Sequence, residues 1–476
     1  MSKVFQISLN EIRLTLRTQG SGWLAGLILG VGLFCILTGY SRYEDTSHKR
    51  QHSSELMRKQ FLSQGQVNPH SAAHYGHFVF KPHSFLTIID PGIEKYVGVS
   101  LQLEGHQQND IQFAPSQKAS SLIRFGELSF SLLLQIILPL LIFFVVHRTM
   151  VSERQQGTLK LLVAQGLSVR QIIWGKILGF TVLAFAVLLF ITLIFISIIS
   201  FNDVSQQSAD LLIRTVALLG IYAAYYFLLI ALTVLLSAKT QSSASALVTI
   251  LSLWLLLAVI IPKFSANLGE QLVSLPSKLS FDKQISEANR QGINGHDPRD
   301  KRSQRIKDSL LLHYKVDSIE NLPVNADGII MQADEQYHNV VYDKQFASLR
   351  DAIRAQDRYT NLTAVLDPAL TVQHLSMALA GTDIFHHFRF LDQAENYRRF
   401  LIKKLNDDMA YGGSRTGDWD WSVDKDYWQK INDFTYSPPT FQETLCYYKW
   451  ELSAFIFWIF ATFLLVHWAA PRLDIL

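Results

Sequence analysis

The sequence predicts a mainly α membrane protein with six transmembrane helices, an N-terminal interfacial helix, a polar cytoplasmic elbow and two extracytoplasmic inserts, the first mixed α/β and the second mostly helical. Three observations predict it. Of 476 residues 49% are hydrophobic while 17% are charged, which suits a membrane protein with substantial aqueous parts. Six apolar runs, at residues 23–40, 128–147, 177–199, 211–236, 244–261 and 452–468, approach or exceed the roughly 20 residues that cross a bilayer. Bases gather in alternate short connectors, as topology requires.

Residues 1–20 carry Phe5, Leu9, Ile12 and Leu16 at helical spacing, opposite Gln6, Asn10, Arg13 and Arg17, an amphipathic pattern suited to an interface. Residues 21–40 form the first span. About twenty residues precede its apolar core and no small-residue cleavage site follows, so it reads as a retained span and not a signal peptide. Its Gly26, Gly30 and Gly32 permit close helix packing. Residues 41–126 form the first insert, with short β-like runs at 78–80, 85–89 and 97–103. His70, His74 and His77 have a spacing that gathers a metal on one helix. No cysteine accompanies them, and Pro69, Gly76 and Pro82 oppose a continuous helix, so no metal site is assigned and these three stand as the candidates.

The second span covers 127–148, with Pro139 a source of a kink. The elbow covers 149–176 and the third span 177–200. A short outside loop, 201–210, holds Asp203 and Asp210 and no base. The fourth span, 211–237, has Arg214 near one end, where it can snorkel. A connector at 238–243 leads to the fifth span, 244–262. The second insert, 263–448, shows helical spacing at 279–290, 304–314, 335–356 and 394–406, separated by turn-rich stretches at 292–300, 322–328 and 412–418. Trp419, Trp421, Tyr427 and Trp428 approach the last span and suit a membrane interface or a core against it. The sixth span is 449–470 and the tail 471–476. Cys35 and Cys446 give no disulfide framework.

Lys3, Arg13 and Arg17 lie before the first span. Arg148, Arg154, Lys160, Arg170 and Lys176 lie in the elbow, Lys239 in the 238–243 connector and Arg472 in the tail. Six alternating spans put all of them on one side, so both termini and the elbow are expected in the cytoplasm and both inserts outside. A net charge of +3 gives no reason to expect nucleic acid.

Within the elbow, residues 152–160 are polar around Gly157. Leu159, Leu162 and Val163 then form a short apolar face, Gly166 breaks the run, and Ser168 caps a helix that carries Val169, Ile172 and Ile173 into the third span. This predicts a helix–turn–helix with Glu153 and Arg154 projecting to solvent. The stretch Glu153-Arg154-Gln155-Gln156-Gly157-Thr158-Leu159, then Leu161-Leu162, Ser168-Val169-Arg170 and Ile173-Trp174-Gly175-Lys176, resembles the signature of type-2 ABC exporter permeases, close to E-R-E-x-G-T-L, L-L, S-x-R and G-K. It departs at Gln155, where an acid is common, and at Gln165–Gly166, where a proline is common. The layout is similar to the subgroup with large extracytoplasmic inserts between spans one and two and between five and six.

The resemblance implies a coupling elbow that docks on an ATPase subunit through Glu153, Arg154, Gly157, Thr158, Leu159, Leu162, Ser168 and Arg170. It implies a dimer of ABC ATPase subunits carrying ATP and Mg, a second permease copy or paralogue, export as the direction, and a bacterial inner membrane. Room for a periplasmic partner remains at the inserts. The chain has no G-x-x-x-x-G-K-[ST] loop, since Gly175-Lys176 lacks the preceding glycine and the following Ser/Thr, and it has no H-E-x-x-H or G-x-S-x-G. No catalytic site and no cofactor of its own are therefore expected. Span centres nearly free of ionisable groups favour an external energy source over an ion-driven carrier. Tyr222, Tyr225 and Tyr226 are candidates for lining a translocation path or for helix packing. The expected function is a permease subunit of an ATP-driven transporter. The alternative is a membrane-anchored sensor or scaffold acting through its large extracytoplasmic domains. A hydrolase would have only the histidine cluster to work with.

Overall fold

The computed structural model describes residues 2–75, 77–109, 128–201, 208–293 and 296–472. Gly76, Asp203, the first insert beyond Asn109 and the tail beyond Arg472 lie outside the described residues. Among the described residues, six helices are long and apolar enough to cross a membrane: Gly22–Leu62, Phe130–Gln155, Val169–Ile198, Ala209–Lys239, Ser243–Leu272 and Lys449–Arg472.

Helix α1 (Lys3–Arg17) is capped by the Ser2 hydroxyl, which accepts from Phe5 N. Helix α2 (Gln19–Leu62) contains no proline and runs 44 residues, about 66 Å at 1.5 Å per residue, roughly twice a bilayer core. It does not stop at residue 40 but continues as a polar helix through the first part of the insert, with side-chain pairs such as Lys49–Asp45 at 2.6 Å. Helix α3 (Pro69–Tyr75) follows, then strands β1 (His77–Phe80) and β2 (Ser100–Leu103), antiparallel with His77 opposite Leu103. The run at 85–89 is not a strand. Ser84 accepts from Leu86 N and turns Phe85–Ile88 into a 3-10 helix. Its Ile88 packs on Gly39 of α2, where an added Cβ would lie 3.1 Å from the isoleucine.

The second and fifth spans share one device. Phe130–Leu132 leads into a π-turn, Leu133–Ile137, before helix α4 (Leu138–Val146). In it Leu138 N donates to Leu133 O, and Pro139 follows. Helices α5 (Thr149–Gln155), α6 (Thr158–Ala164), α7 (Val169–Phe201), α8 (Ser208–Lys239) and α9 (Ser243–Leu255) come next. After α9 a second π-turn, Leu256–Ile260, leads into α10 (Ile261–Leu272), with Ile261 N donating to Leu256 O and Pro262 next. A proline ring crowds the carbonyl four residues back and cannot donate to it. One widened turn just before it absorbs the mismatch inside the span.

The second insert holds α11 (Lys278–Gln291), α12 (Arg299–Tyr314), α13 (Ala326–Leu366), α14 (Pro368–Ala380) and α15 (Ile384–Tyr411), followed by α16 (Phe441–Tyr447) and the last span α17 (Lys449–Ala469). Sequence periodicity does not reveal α14. Its thirteen residues are apolar on most sides and too few for a span. The Asp367 side chain caps it by accepting from Ala369 N and Leu370 N, with Pro368 at its first position.

Within residues 263–448, helix α14 packs against the spans. Val372, Leu375 and Leu379 share one hydrophobic core with the spans. The Ser376 hydroxyl lies 2.8 Å from Tyr222 OH, and Trp458 Nε1 of α17 donates to Val365 O at 2.8 Å. Tyr222 is fifteen residues from Ser237 on α8, about 22 Å along the helix axis. The α13–α14 corner is thus a hairpin pushed between spans. Its other end is held by Arg214, whose guanidinium donates to Leu379 O at 3.3 Å, Pro439 O at 2.7 Å and the Asp210 carboxylate at 2.5 Å. Arg214 is buried rather than snorkelling.

Trp428 belongs to a core cluster separate from that of the spans. It is fully buried at the far end of α2, its Nε1 donating to Gly65 O at 2.8 Å and its ring meeting Phe61 edge-on at 5.5 Å. Between β1 and the 3-10 turn, Lys81 pairs with Glu94 at 2.9 Å and His83 bonds the other Glu94 oxygen. Burial pushes Glu94 up, but the Lys81 and His83 charges and hydrogen bonds outweigh it and hold its pKa at about 2. A carboxyl held below its ordinary value of about 4.3 contributes stability that is complete above that pH and is lost as pH falls toward 2. The melting temperature of the detergent-solubilised protein should therefore fall on acidification below about pH 4.3, and Glu94→Gln should flatten that dependence while lowering stability at pH 7. An acid limb of equal slope in Glu94→Gln would show that other groups set it.

Candidate functional site

Two short helices and the start of a long one build the elbow. Helix α5 continues the second span. Gly157 at φ +76 turns the chain into α6, a left-handed conformation that glycine adopts without strain. Gly166 at φ +81 ends α6. Ser168 and Gln171 then cap the start of α7 reciprocally, Gln171 N donating to the Ser168 hydroxyl at 3.3 Å and Ser168 N to the Gln171 side chain at 3.0 Å. The second limb of the elbow and the third span are one helix.

Glu153 and Arg154 do not project to solvent. Glu153 Oε1 accepts from Lys176 Nζ at 2.8 Å. The same ammonium donates to Glu11 Oε2 of α1 at 2.8 Å and to the Thr149 hydroxyl at 3.1 Å, and Thr149 in turn donates to Glu11 Oε1 at 3.0 Å. Lys176 is only 2% exposed. A buried ammonium needs opposite charge and filled hydrogen-bond sites, and here it has both. The Arg154 guanidinium donates to the Ala238 and Thr240 carbonyls, the open end of α8. Met150 N donates to the Ser237 hydroxyl at 3.2 Å. The elbow is thereby fastened to α1, α7 and α8 together.

Helix α1 reaches α7 through glycine. A Cβ on Gly175 would come within 2.6 Å of the Ile7 side chain, and one on Gly179 within 3.1 Å of Glu11 Cβ. The Ser8 hydroxyl donates to Gly175 O at 2.8 Å and Lys3 Nζ to Gly166 O at 3.0 Å.

Of the elbow residues singled out by sequence, Leu159 is fully buried and Gly157 and Leu162 are half-buried, while Thr158, Ser168 and Arg170 are exposed. Thr158 also donates to Glu153 O at 3.1 Å. Sequence reasoning missed Glu11, Thr149 and Leu161. Leu161 is 63% exposed at the middle of α6, and an apolar side chain in a polar stretch was the signal that could have found it.

Tyr222, Tyr225 and Tyr226 are fully buried inside the chain. Tyr222 OH accepts from Gln135 Nε2 at 3.0 Å, and Tyr226 OH donates to Leu134 O at 2.9 Å, so two of them face the π-turn of the second span. Asp90 joins this group, its Oδ2 accepting from the Ser376 hydroxyl at 2.5 Å.

His70 and His74 lie together on α3, but His77 does not join them. It begins β1, and its ring packs on Phe61 and Tyr397, because the chain changes from helix to strand between them. His106 takes the third place beside His70 and His74.

The ion cluster carries a direct test. Lys176→Met leaves the buried Glu11 and half-buried Glu153 carboxylates without their cation and should cost about 3–5 kcal/mol, read as a lower melting temperature in detergent. Adding Glu11→Gln should cost less than the sum of the single changes, since the two act as one unit. Strict additivity would sink the cluster as a fastening.

Two family models match the chain in succession. Residues 76–279 match the ABC-2 family transporter protein model, and residues 278–437 match a domain of unknown function, DUF3526. The second match begins at the start of α11, so the helical insert is a unit of its own in sequence. No curated protein matches the chain significantly. The six apolar helices and the match over residues 76–279 agree: the chain is a multi-pass membrane protein, and the match over those residues supports an ABC-2 type permease.

Proposed function

We propose that this chain is the membrane subunit of an ATP-driven exporter, powered by separate ATPase subunits that carry ATP and Mg and dock on the elbow. The observation that carries the reading is the exposed face of α6, at the tip of the elbow. Leu161 and the exposed Thr158 and Lys160 face away from the chain, while Lys176, Arg154 and Leu159 fasten the same elbow to three helices. Force applied at such a tip reaches the second, third and fourth spans as one rigid displacement. The contact set is Leu161 with Thr158, Lys160, Ser168 and Arg170. Glu153, Arg154, Gly157, Leu159 and Leu162 shape and hold the elbow.

The short basic connectors support a cytoplasmic elbow and cytoplasmic termini in a bacterial inner membrane, with the inserts outside. Phe5, Leu14 and Leu16 on α1 stay exposed, as suits a helix lying in the interface. A second permease copy or paralogue completes the assembly. A translocation path along Tyr222, Tyr225 and Tyr226 then requires α14 to shift, because α14 covers Tyr222. Movement of the inserts with α13 would also serve a periplasmic partner.

Purification of the tagged chain from its native membrane in mild detergent, followed by mass spectrometry, should recover a stoichiometric Walker-motif ATPase. Leu161→Glu should lose that ATPase at least tenfold with an unchanged melting temperature. Recovery of the chain alone, or with periplasmic proteins only, would favour the sensor or scaffold instead.

A further inference from the structure

The two inserts meet around a set of imidazoles that transport through the bundle does not use. His70 and His74 sit one helical turn apart on α3, and His106 sits just beyond β2 at φ +67. Their ring centroids form a near-equilateral triangle with sides of 4.8, 5.3 and 5.1 Å. One nitrogen from each lies within 4.8 Å of the others. His70 Nε2 and His74 Nε2 are 3.1 Å apart. Two nitrogens bound tetrahedrally to one ion at about 2.0–2.1 Å would lie only slightly farther apart.

We propose that His70, His74 and His106 bind one divalent transition-metal ion, in which the first insert supplies the ligands and the second insert orients them. The outer nitrogen of buried His70 is hydrogen-bonded, and that of half-buried His106 lies beside a carboxylate without a hydrogen bond to it. His70 Nδ1 lies 3.0 Å from Asn406 Oδ1 of α15, which fixes the tautomer that leaves Nε2 free for an ion. His106 Nδ1 faces Glu335 Oε1 of α13 at 3.4 Å, and the same carboxylate accepts from His106 N. Carboxylate and amide partners behind ligating histidines are the usual outer shell of such sites. Glu335 is itself held by Arg398 at 3.2 Å, and both are almost fully buried. His338 lies one turn from Glu335 on α13, its buried Nδ1 without a hydrogen-bond partner among the described residues, and Glu335, His338 and His106 form a second close set.

His74 is exposed, so the triangle is open to solvent on one side and an ion can reach it. Three imidazoles suit zinc, copper(II) or nickel over magnesium or calcium. The site spans α3, the β2 connector and α13, the helix that continues down to the hairpin between the spans. A bound ion would therefore tie the two inserts together at the head of α13.

The test uses the full chain, purified without a polyhistidine tag and stripped with chelator. Zinc(II) titration should load about one ion per chain by elemental analysis, and raise the melting temperature. His74→Ala removes an exposed ligand and should leave the metal-free melting temperature unchanged while weakening zinc binding at least tenfold. Asn406→Ala should weaken it about 10–100-fold through the outer shell, whereas His77→Ala should leave it unchanged. Zinc, copper and nickel binding no tighter in the native chain than in His74→Ala, or equal loss in His77→Ala, would overturn the proposal.

Discussion

One buried ammonium holds the elbow end of the molecule together. Lys176 is flanked by carboxylates from α1 and α5 and a hydroxyl between them, so three chain segments share one charge balance. None of the three can leave without stranding a charge in a place that water does not reach. The short helices of the elbow gain from this what their length cannot supply, since an isolated seven-residue helix is unstable in water. Glycine completes the arrangement, because only a residue without a side chain at 175 lets α1 come close enough for Glu11 to reach the lysine.

The opposite end of the bundle obeys a different constraint. Backbone polar groups among the spans must be paired, and prolines in two spans leave carbonyls in need. Each span answers with a π-turn just before its proline. Beside the first of these turns lie Gln135, Tyr222, Ser376 and Asp90, four polar side chains from four segments that satisfy one another. Helix α14 belongs to this group, so an element of the second insert shares the hydrophobic core of the spans. Bundle and inserts are mechanically continuous through α13, which runs without a break from the insert into the spans.

Much of the architecture was legible in the residues. Apolar length marks the six spans because a bilayer demands about 20 residues whatever else the chain does. Gly157, Gly166 and Ser168 mark the bends of the elbow because turn chemistry is local. The β1 strand was visible at 78–80, whereas 85–89 carried the same β-like composition and became a 3-10 turn, since a serine cap next to a buried helix outcompeted strand pairing.

The sequence by itself determined the spans, the elbow and the histidine-rich character of the first insert, because these rest on the composition and spacing of neighbouring residues. Only the tertiary structure decided which charges are buried, that α14 lies among the spans, and that His106 rather than His77 stands beside His70 and His74. The reason is physical. A glutamate in a polar loop reads the same whether it faces water or a lysine, and Glu11 and Lys176 lie 165 residues apart. Their partnership exists only once packing has removed the water between them.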